Sequence, residues 1–151
     1  MICGNRDKTG FNVHYVRTDG YTEGAGYPII TVITERDELE RYFDRNKEIY
    51  DFTSRATGYS GAATSFADAI REYPDEFFVE HYLVVLILEE GSGSIKHQVE
   101  HIEENGDIII RRILPEIGTA DMAEWSILIG LNHGFKPEQF HVFFEDIKSS
   151  T

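Results

Sequence analysis

The order of apolar and polar residues along the chain predicts a mainly antiparallel β-sheet. Residues 11–18 alternate between apolar and polar side chains, and residues 29–33 form a short β-branched run, so each predicts a strand. Residues 82–88 read YLVVLIL, an unbroken apolar run that is typical of a strand covered on both faces. Residues 123–131 alternate again and predict an amphipathic strand, and the aromatic run at 140–147 predicts the last strand.

Between these strands, residues 95–103 and 107–114 predict a hairpin around the Asn-Gly pair at 105–106, because both residues tolerate the positive φ of a tight turn. The register stays open at this point. A two-residue turn pairs Glu100 with Arg111, whereas a three-residue turn with a bulge moves the pairing by one residue.

Two segments carry the signals of helices. Residues 35–47 have apolar side chains three and four positions apart, and Thr34 before them predicts an N-cap. A second helical segment lies near 64–80, where Thr64 or Ser65 can serve as the cap. We therefore expect two to three helices packed on the sheet.

Length and composition indicate a folded globular protein. The chain has 151 residues, of which 41% are hydrophobic, enough to build a core without disulfides. No repeat or linker divides it, so we expect one α+β domain over 1–151 with about seven strands in a mainly antiparallel sheet. Residues 1–10 are predicted to be a mobile N-terminus and residues 53–63 a surface loop.

The balance of charge argues against several classes of partner. There are 27 acidic and 14 basic residues, which gives a formal net charge of −13. Phosphate backbones and anionic membrane surfaces repel such a chain, so we expect no nucleic acid partner. No apolar run reaches the roughly 18 residues needed to span a bilayer, so we expect no membrane insertion. A basic partner, most simply another protein, suits the charge better.

The single cysteine, Cys3, bears on the compartment. One cysteine excludes an internal disulfide and any multi-cysteine zinc site, so a cytoplasmic location is the default expectation. The alternative is an exported protein that is lipid-anchored at Cys3.

Motifs for catalysis and for cofactor binding do not occur in the sequence. The EF-hand pattern, HExxH, the phosphate loop, GxGxxG after a strand and GxSxG are all absent. We therefore predict no catalytic residue, no cofactor and no metal site. His97 and His101 lie about 13 Å apart along a predicted strand and share a face, so they can flank a groove but cannot bind one metal.

Acidic residues at the ends of the predicted strands are further candidates. Glu89, Glu90, Asp121 and Glu124 lie at strand ends or in adjoining loops, and any two that converge can act as acid and base or bind a hard cation. Their spacing does not show which of them converge.

Two adjacent arginines, Arg111 and Arg112, interrupt an apolar strand. One must point outward and one toward the core, because successive side chains in a strand alternate. The inward arginine needs a carboxylate, for which Glu100 and Glu124 are the expected partners, and we favour a structural ion pair.

The block DEFFVEHYLVVLILEE, the GSGSIKH that follows it, the hairpin and PEIGTADMAEW together occupy about residues 76–125. This segment resembles uncharacterised bacterial proteins related to the C-terminal domain of the PrcB protease-complex subunit family. The resemblance implies an accessory or protein-binding role, often in lipid-anchored or exported proteins, and it implies no catalytic residue.

The first functional hypothesis is a non-enzymatic accessory or protein-interaction domain, which captures its partner by strand addition at an exposed edge strand or in an apolar groove. The alternative is a small hydrolase or metal-dependent enzyme that uses residues of the 89–124 segment: His97, His101, Asp121 and Glu124. A third hypothesis is a small-ligand-binding domain with a pocket between the helices and the sheet.

Overall fold

The computed structural model describes residues 11–57 and 63–149. The predicted mobile segment 1–10, which contains Cys3, and residues 58–62 of the predicted loop lie outside these ranges. In chain order the described elements are β1 (Asn12–Arg17), β2 (Ile29–Ile33), α1 (Arg36–Asn46), β3 (Ala56–Thr57), β4 (Ala63–Thr64), α2 (Phe66–Ala69), a 3-10 turn (Ile70–Glu72), α3 (Phe77–Glu80), β5 (His81–Glu90), β6 (Lys96–Ile102), β7 (Asp107–Leu114), β8 (Ala123–Asn132) and β9 (His141–Lys148).

Seven of these strands form two sheets, and the predicted α+β fold class is confirmed. The first sheet has four antiparallel strands in the order β1-β8-β5-β2. The second has the order β6-β7-β9, in which β7 pairs antiparallel with β6 and parallel with β9. We expected one sheet; two form because the turn after β5 carries the chain onto the other face of the first sheet. Strands β3 and β4 pair as a separate short ladder within the segment expected to be a loop.

The elements stack in three layers around two apolar cores. Helices α1 and α2 cover one face of the first sheet, and the second sheet covers the opposite face. In β5, Leu83 and Val85 face the helices, while Val84 and Leu86 face the second sheet. Strand β5 is therefore buried on both faces, as its unbroken apolar sequence predicted.

Strand β8 differs from its prediction, because both of its faces are buried. The alternation predicted one exposed face, yet every residue from 123 to 131 is buried. Local partners accommodate the polar and small residues on the helix side. The Ser126 hydroxyl lies 2.7 Å from that of Thr18, and Gly130 leaves room for Phe77, whose Cζ would lie 2.9 Å from an added Cβ.

The β6–β7 hairpin has a three-residue turn, so the two-residue alternative is wrong. Ile102 pairs with Ile108 at its end, and Gly106 adopts a φ of +99°, which favours glycine.

A bulge in β6 also changes which way its histidines point. The register shifts between Val99 and His101, so an extra residue is inserted between the two histidines. His97 pairs with Arg112 and is buried, whereas His101 lies on the outer face with about half of its side chain exposed. The prediction that the two histidines share a face is wrong for this reason.

Both predicted helical segments are confirmed, with changed ends. The N-cap of α1 is Glu35 rather than Thr34, whose N–H and hydroxyl both donate to the Glu38 carboxylate, at 2.7 and 3.0 Å. Ser65 caps α2 as predicted and accepts the Asp68 N–H at 3.0 Å. Among the residues described, no helix is long and apolar enough to cross a membrane.

Candidate functional site

The structure does not bring the six predicted side chains together in one site. His97 and Arg112 meet between the two sheets at the end of β5. Glu124 lies on the opposite face of the first sheet, and Asp121 lies in the loop before β8. His101 and Arg111 lie on the outer face of the second sheet.

The buried meeting point of His97 and Arg112 is Glu90, the last residue of β5. Arg112 donates from Nε and Nη2 to the two Glu90 carboxylate oxygens, at 2.9 and 2.7 Å. His97 Nε2 lies 2.7 Å from Glu90 Oε2. The third nitrogen of Arg112 donates to both oxygens of Asp146 on β9, at 2.8 and 2.9 Å. The cluster thus links four strands from both sheets.

This ionic cluster, Glu90, His97, Arg112 and Asp146, has the properties of a structural tie. Burial by itself raises the pKa of Glu90, but hydrogen bonds from Arg112 and His97 outweigh it and lower the pKa to about 2. His97 is only 2% exposed, so a substrate has no access to it. The expected ion pair of the inward arginine is confirmed, but its partners are Glu90 and Asp146 instead of Glu100 or Glu124.

On the other face of the same sheet end, Glu124 is buried without a basic partner among the described residues. It lies directly across from Glu89 in the β5–β8 ladder. The Gly20 N–H donates to Glu124 Oε1 at 3.0 Å. Burial raises the pKa of Glu124, and the nearby carboxylates of Glu89 and Asp19 raise it further. Of the four acidic candidates, Glu89 and Glu124 are the pair that converges.

Asp121 belongs to a turn contact instead. Its carboxylate accepts from Arg17 Nη2 at 3.0 Å and from the Gly93 N–H at 3.2 Å. Hydrogen bonds from Thr119, Arg17 and Gly93 lower its pKa. An added Cβ at Gly93 would lie 2.4 Å from Arg17 Nη1, so a larger residue there would displace the end of the Arg17 side chain. Asp121 therefore fixes the turn after β5 onto β1.

The remaining two candidates form surface contacts. Arg111 lies between Glu100 and Glu145, and His101 Nε2 lies 3.3 Å from a carboxylate oxygen of Glu103. Within residues 11–57 and 63–149, no three His, Cys, Asp or Glu side chains are placed to hold a metal ion. The polar candidates are thus engaged in contacts with their neighbours and do not form one cleft.

A groove lies along one side of the sandwich, next to the second sheet. It has a volume of about 360 Å³, which is at the low end of the range for ligand pockets. Its lining comes from β2, the start of β5 and the β8–β9 loop: Ile30, Val32, Thr34, Tyr82, His133, Lys136, Pro137, Glu138, Gln139 and Phe140. Val32 is 44% exposed, because the second sheet does not extend over it.

Strand β9 forms the edge of the second sheet on that side. Three of its apolar side chains are exposed, Phe143 by 50%, Phe144 by 43% and Ile147 by 37%. The N–H groups of His141 and Ser149 donate toward β7, at 3.1 and 2.8 Å, so the odd-numbered residues direct their backbone groups inward. Because backbone direction alternates, the N–H and C=O groups of Val142 and Phe144 point to the open edge. No described strand pairs with this edge.

On the opposite side of the sandwich, β6 forms the other edge of the second sheet, and a hydrogen bond joins it to the first sheet. There β6 lies over β1, and the Val99 N–H donates to the Tyr15 hydroxyl at 2.7 Å. A side chain of the first sheet thus occupies the edge of the second sheet at the bulge. Adjacent residues of a strand point to opposite faces, so Phe143 and Phe144 cannot both face the core. This pair was the signal in the sequence for an exposed strand.

A smaller crevice of about 280 Å³ lies between α1 and the first sheet and is lined in part by Tyr42 and Tyr50. The Tyr42 hydroxyl is buried and has no hydrogen-bond partner in the part of the chain that is described. The crevice is below the size range of ligand pockets, which begins at about 300 Å³, so it gives little support to the third hypothesis.

Comparisons of the chain with protein-family models, with curated proteins and with solved structures find no match.

Proposed function

We propose that this protein is a non-enzymatic interaction module that takes up an extended strand of a partner protein at the β9 edge. Strand addition satisfies the outward N–H and C=O groups of β9 with main-chain hydrogen bonds, and side-chain pockets then give specificity. The resemblance of residues 76–125 to PrcB-related proteins supports the same class of role.

One observation carries the proposal: the second sheet is one strand narrower than the first. Its β6 side is aligned with β1 through the Tyr15–Val99 hydrogen bond, so the missing width falls on the β9 side, above β2. The exposed face of Val32 and the groove lie there. A fourth strand next to β9 would cover that face and give a sandwich of four strands on four.

The polar candidates give the enzyme hypothesis less support. Glu90 and Arg112 neutralise each other inside the sandwich, and Asp121 holds a turn. Glu124 lies beside Glu89, on the face opposite His97. General acid–base catalysis requires these groups within hydrogen-bond reach of one substrate atom, and their positions do not provide this.

The test is selection of binding peptides from a displayed library, followed by measurement of their affinity for two variants at Val142. Val142→Pro removes an N–H that points to the open edge and leaves the β7 ladder intact, since proline is tolerated at such edge positions. We expect selected peptides to bind this variant at least tenfold more weakly than the native chain.

Val142→Ala is the matched control. It shortens the same side chain but keeps the N–H, so we expect peptide affinity within threefold of the native value. Thermal unfolding of both variants shows whether each remains folded. Peptides that bind Val142→Pro as tightly as the native chain would show that β9 is not the binding edge.

A further inference from the structure

We infer that the crevice between α1 and the first sheet binds a small monocarboxylate, whose apolar body lies among isoleucines and whose carboxylate accepts hydrogen bonds from Tyr42 and Arg45. The crevice lies on the helix side of the first sheet, whereas the β9 edge and its groove lie on the side of the second sheet. This binding site is therefore a function beyond the one proposed above.

The walls of the crevice are largely apolar. Ile29 of β2 and Ile87 of β5 pair with each other in the first sheet, and both line the crevice. Ile49, which follows α1, lines it as well. Ile87 is 3% exposed and Ile49 is 41% exposed, so the crevice runs from the sheet to the surface. Such walls suit the apolar body of a ligand.

A hydrogen-bond donor without a partner lines the same crevice. Tyr42 is 4% exposed, and its hydroxyl has no hydrogen-bond partner within residues 11–57 and 63–149. Tyr50, which also lines the crevice, differs, because its hydroxyl lies 2.8 Å from Thr22 Oγ1 and 2.9 Å from the Tyr27 hydroxyl. Buried hydroxyl groups are normally hydrogen-bonded, so Tyr42 is the group here that calls for an acceptor.

Arg45 supplies a positive charge beside this donor. It follows Tyr42 by three residues on α1, so both side chains lie on one side of the helix, and it is exposed. Burial raises the pKa of Tyr42, and the Arg45 charge lowers it, which places the guanidinium near the hydroxyl. No salt bridge joins Arg45 to a carboxylate in the part of the chain that the structure describes. A carboxylate at this point would accept from both groups.

The lining favours an anion although the whole chain is acidic. The residues that line the crevice include Arg45 and no aspartate or glutamate. Glu124 acts on Tyr50 from the same face but does not line the crevice. The net charge of −13 opposes an anion at long range, and salt screens that repulsion beyond about 10 Å at 0.1 M.

The size of the crevice limits the ligand. A volume of about 280 Å³ is too small for most cofactors and for drug-sized ligands. At about 30 Å³ for each water-sized group, it has room for roughly nine such groups. Benzoate, with seven carbon and two oxygen atoms, is a suitable probe.

The experiment compares the affinities of three probes for the full chain by NMR chemical-shift titration, at low and at high salt. Benzoate carries both the apolar body and the charge. Benzamide keeps the shape and the carbonyl oxygen but is neutral, and acetate keeps the carboxylate but has almost no apolar body.

Two variants each remove one recognition group, Tyr42→Phe the hydroxyl and Arg45→Gln the charge. Tyr21→Phe and Arg41→Gln are the matched controls, because each changes an exposed residue of the same type that does not line the crevice. Tyr42→Phe should unfold at a temperature no lower than the native chain, since the hydroxyl that it removes has no partner among the described residues.

We expect benzoate to bind about threefold more tightly than benzamide at low salt, because exposed charge pairs are weak. Acetate should bind at least about tenfold more weakly than benzoate, because it buries much less apolar surface. Tyr42→Phe should weaken benzoate about tenfold and benzamide about fivefold, since a hydrogen bond to a charged acceptor is the stronger one.

Arg45→Gln should weaken benzoate about threefold and leave benzamide unchanged, and high salt should remove this difference. Tyr21→Phe and Arg41→Gln should leave both affinities within about twofold of the native values. Val142→Pro should also leave benzoate binding unchanged, because β9 lies on the other side of the first sheet. The result therefore does not depend on whether β9 takes up a strand.

Absence of benzoate binding at concentrations of tens of millimolar would overturn the inferred site. Benzoate binding that Tyr42→Phe leaves unchanged would overturn it too, because the probe would then bind elsewhere. Equal affinities of benzoate and benzamide at low salt would reject a carboxylate as the ligand class.

Discussion

At one end of the first sheet, two glutamates with the same exposure have opposite electrostatic states. Glu90 and Glu124 are each 5% exposed, on adjacent strands, and they point to opposite faces. Between the sheets, Arg112 and His97 lower the pKa of Glu90 to about 2. On the helix side, burial and the neighbouring carboxylates raise the pKa of Glu124. Because Glu90 and Glu124 are equally buried, the opposite shifts of their pKa values come from the layer that covers each face.

The comparison teaches how to interpret perturbed carboxyl groups in this fold. Strand β7 supplies a guanidinium to one face, whereas the loop after β1 supplies only a backbone N–H, from Gly20, to the other. The lowered pKa belongs to a carboxylate that ties the two sheets together, and the raised pKa belongs to a buried carboxyl that faces another carboxyl. Neither state by itself indicates catalysis.

The largest effect is expected from removing the cation on the Glu90 side. Arg112→Met leaves a buried carboxylate with only His97 as partner, and breaking a buried ion pair in this way costs about 3–5 kcal/mol. Urea unfolding at pH 7 measures the loss. Arg111→Met is the matched control, because Arg111 is the exposed neighbour and its surface ion pairs contribute under about 1 kcal/mol. Equal losses in the two variants would show that Arg112 does not hold the sheets together.

The next largest effect is expected in how the stability of the protein depends on acid pH, through Glu90 of the same cluster. The pKa of Glu90 falls from an ordinary 4.5 to about 2 on folding, so its charged form stabilises the native state above about pH 4.5. This contribution, about 3 kcal/mol, is lost as the pH falls toward 2. Glu90→Gln should therefore be less stable than the native chain at pH 7, and the difference should shrink steadily between pH 4.5 and pH 2. A constant difference over this range would contradict the lowered pKa.

The local elements of this fold were predictable from the sequence, and the contacts between layers were not. The unbroken apolar run placed β5 correctly, and Ser65 marked the start of α2, because strand burial and helix caps have local signals. The bulge in β6 has no such signal, since no glycine marks it, and it reversed the direction of His101.

The partner of Arg112 shows the same limit at the site. Glu90, Glu100 and Glu124 are equally acidic in the sequence, and only the crossing of the chain from the first sheet to the second selects Glu90. The parallel pairing of β9 with β7 is likewise a long-range outcome. The open edge follows from that pairing, so the sequence predicted an edge or groove without identifying the strand.

The smallest effect, and the sharpest test of the contrast, is expected at Glu124. Glu124→Gln replaces a carboxyl whose pKa is raised in the native state, so at pH 7 it removes the cost of a charge that folding disfavours. The neutral amide can donate to Glu89, and we expect a gain of about 1 kcal/mol, the usual net value of one hydrogen bond. This change in stability at pH 7 is opposite in sign to the change expected for Glu90→Gln.

The pH dependence of the Glu124→Gln variant is opposite as well. Native Glu124 destabilises the fold as the pH rises from about 4.5 through its raised pKa, because the unfolded chain loses the proton first. Below pH 4.5 the group is protonated in both states, so the gain of the variant should disappear there. Glu116→Gln, an exposed control, should change stability by less than about 0.5 kcal/mol at every pH. If Glu124→Gln destabilises the protein at pH 7 as Glu90→Gln does, then Glu124 is held as a charged group and the two faces of the sheet do not differ.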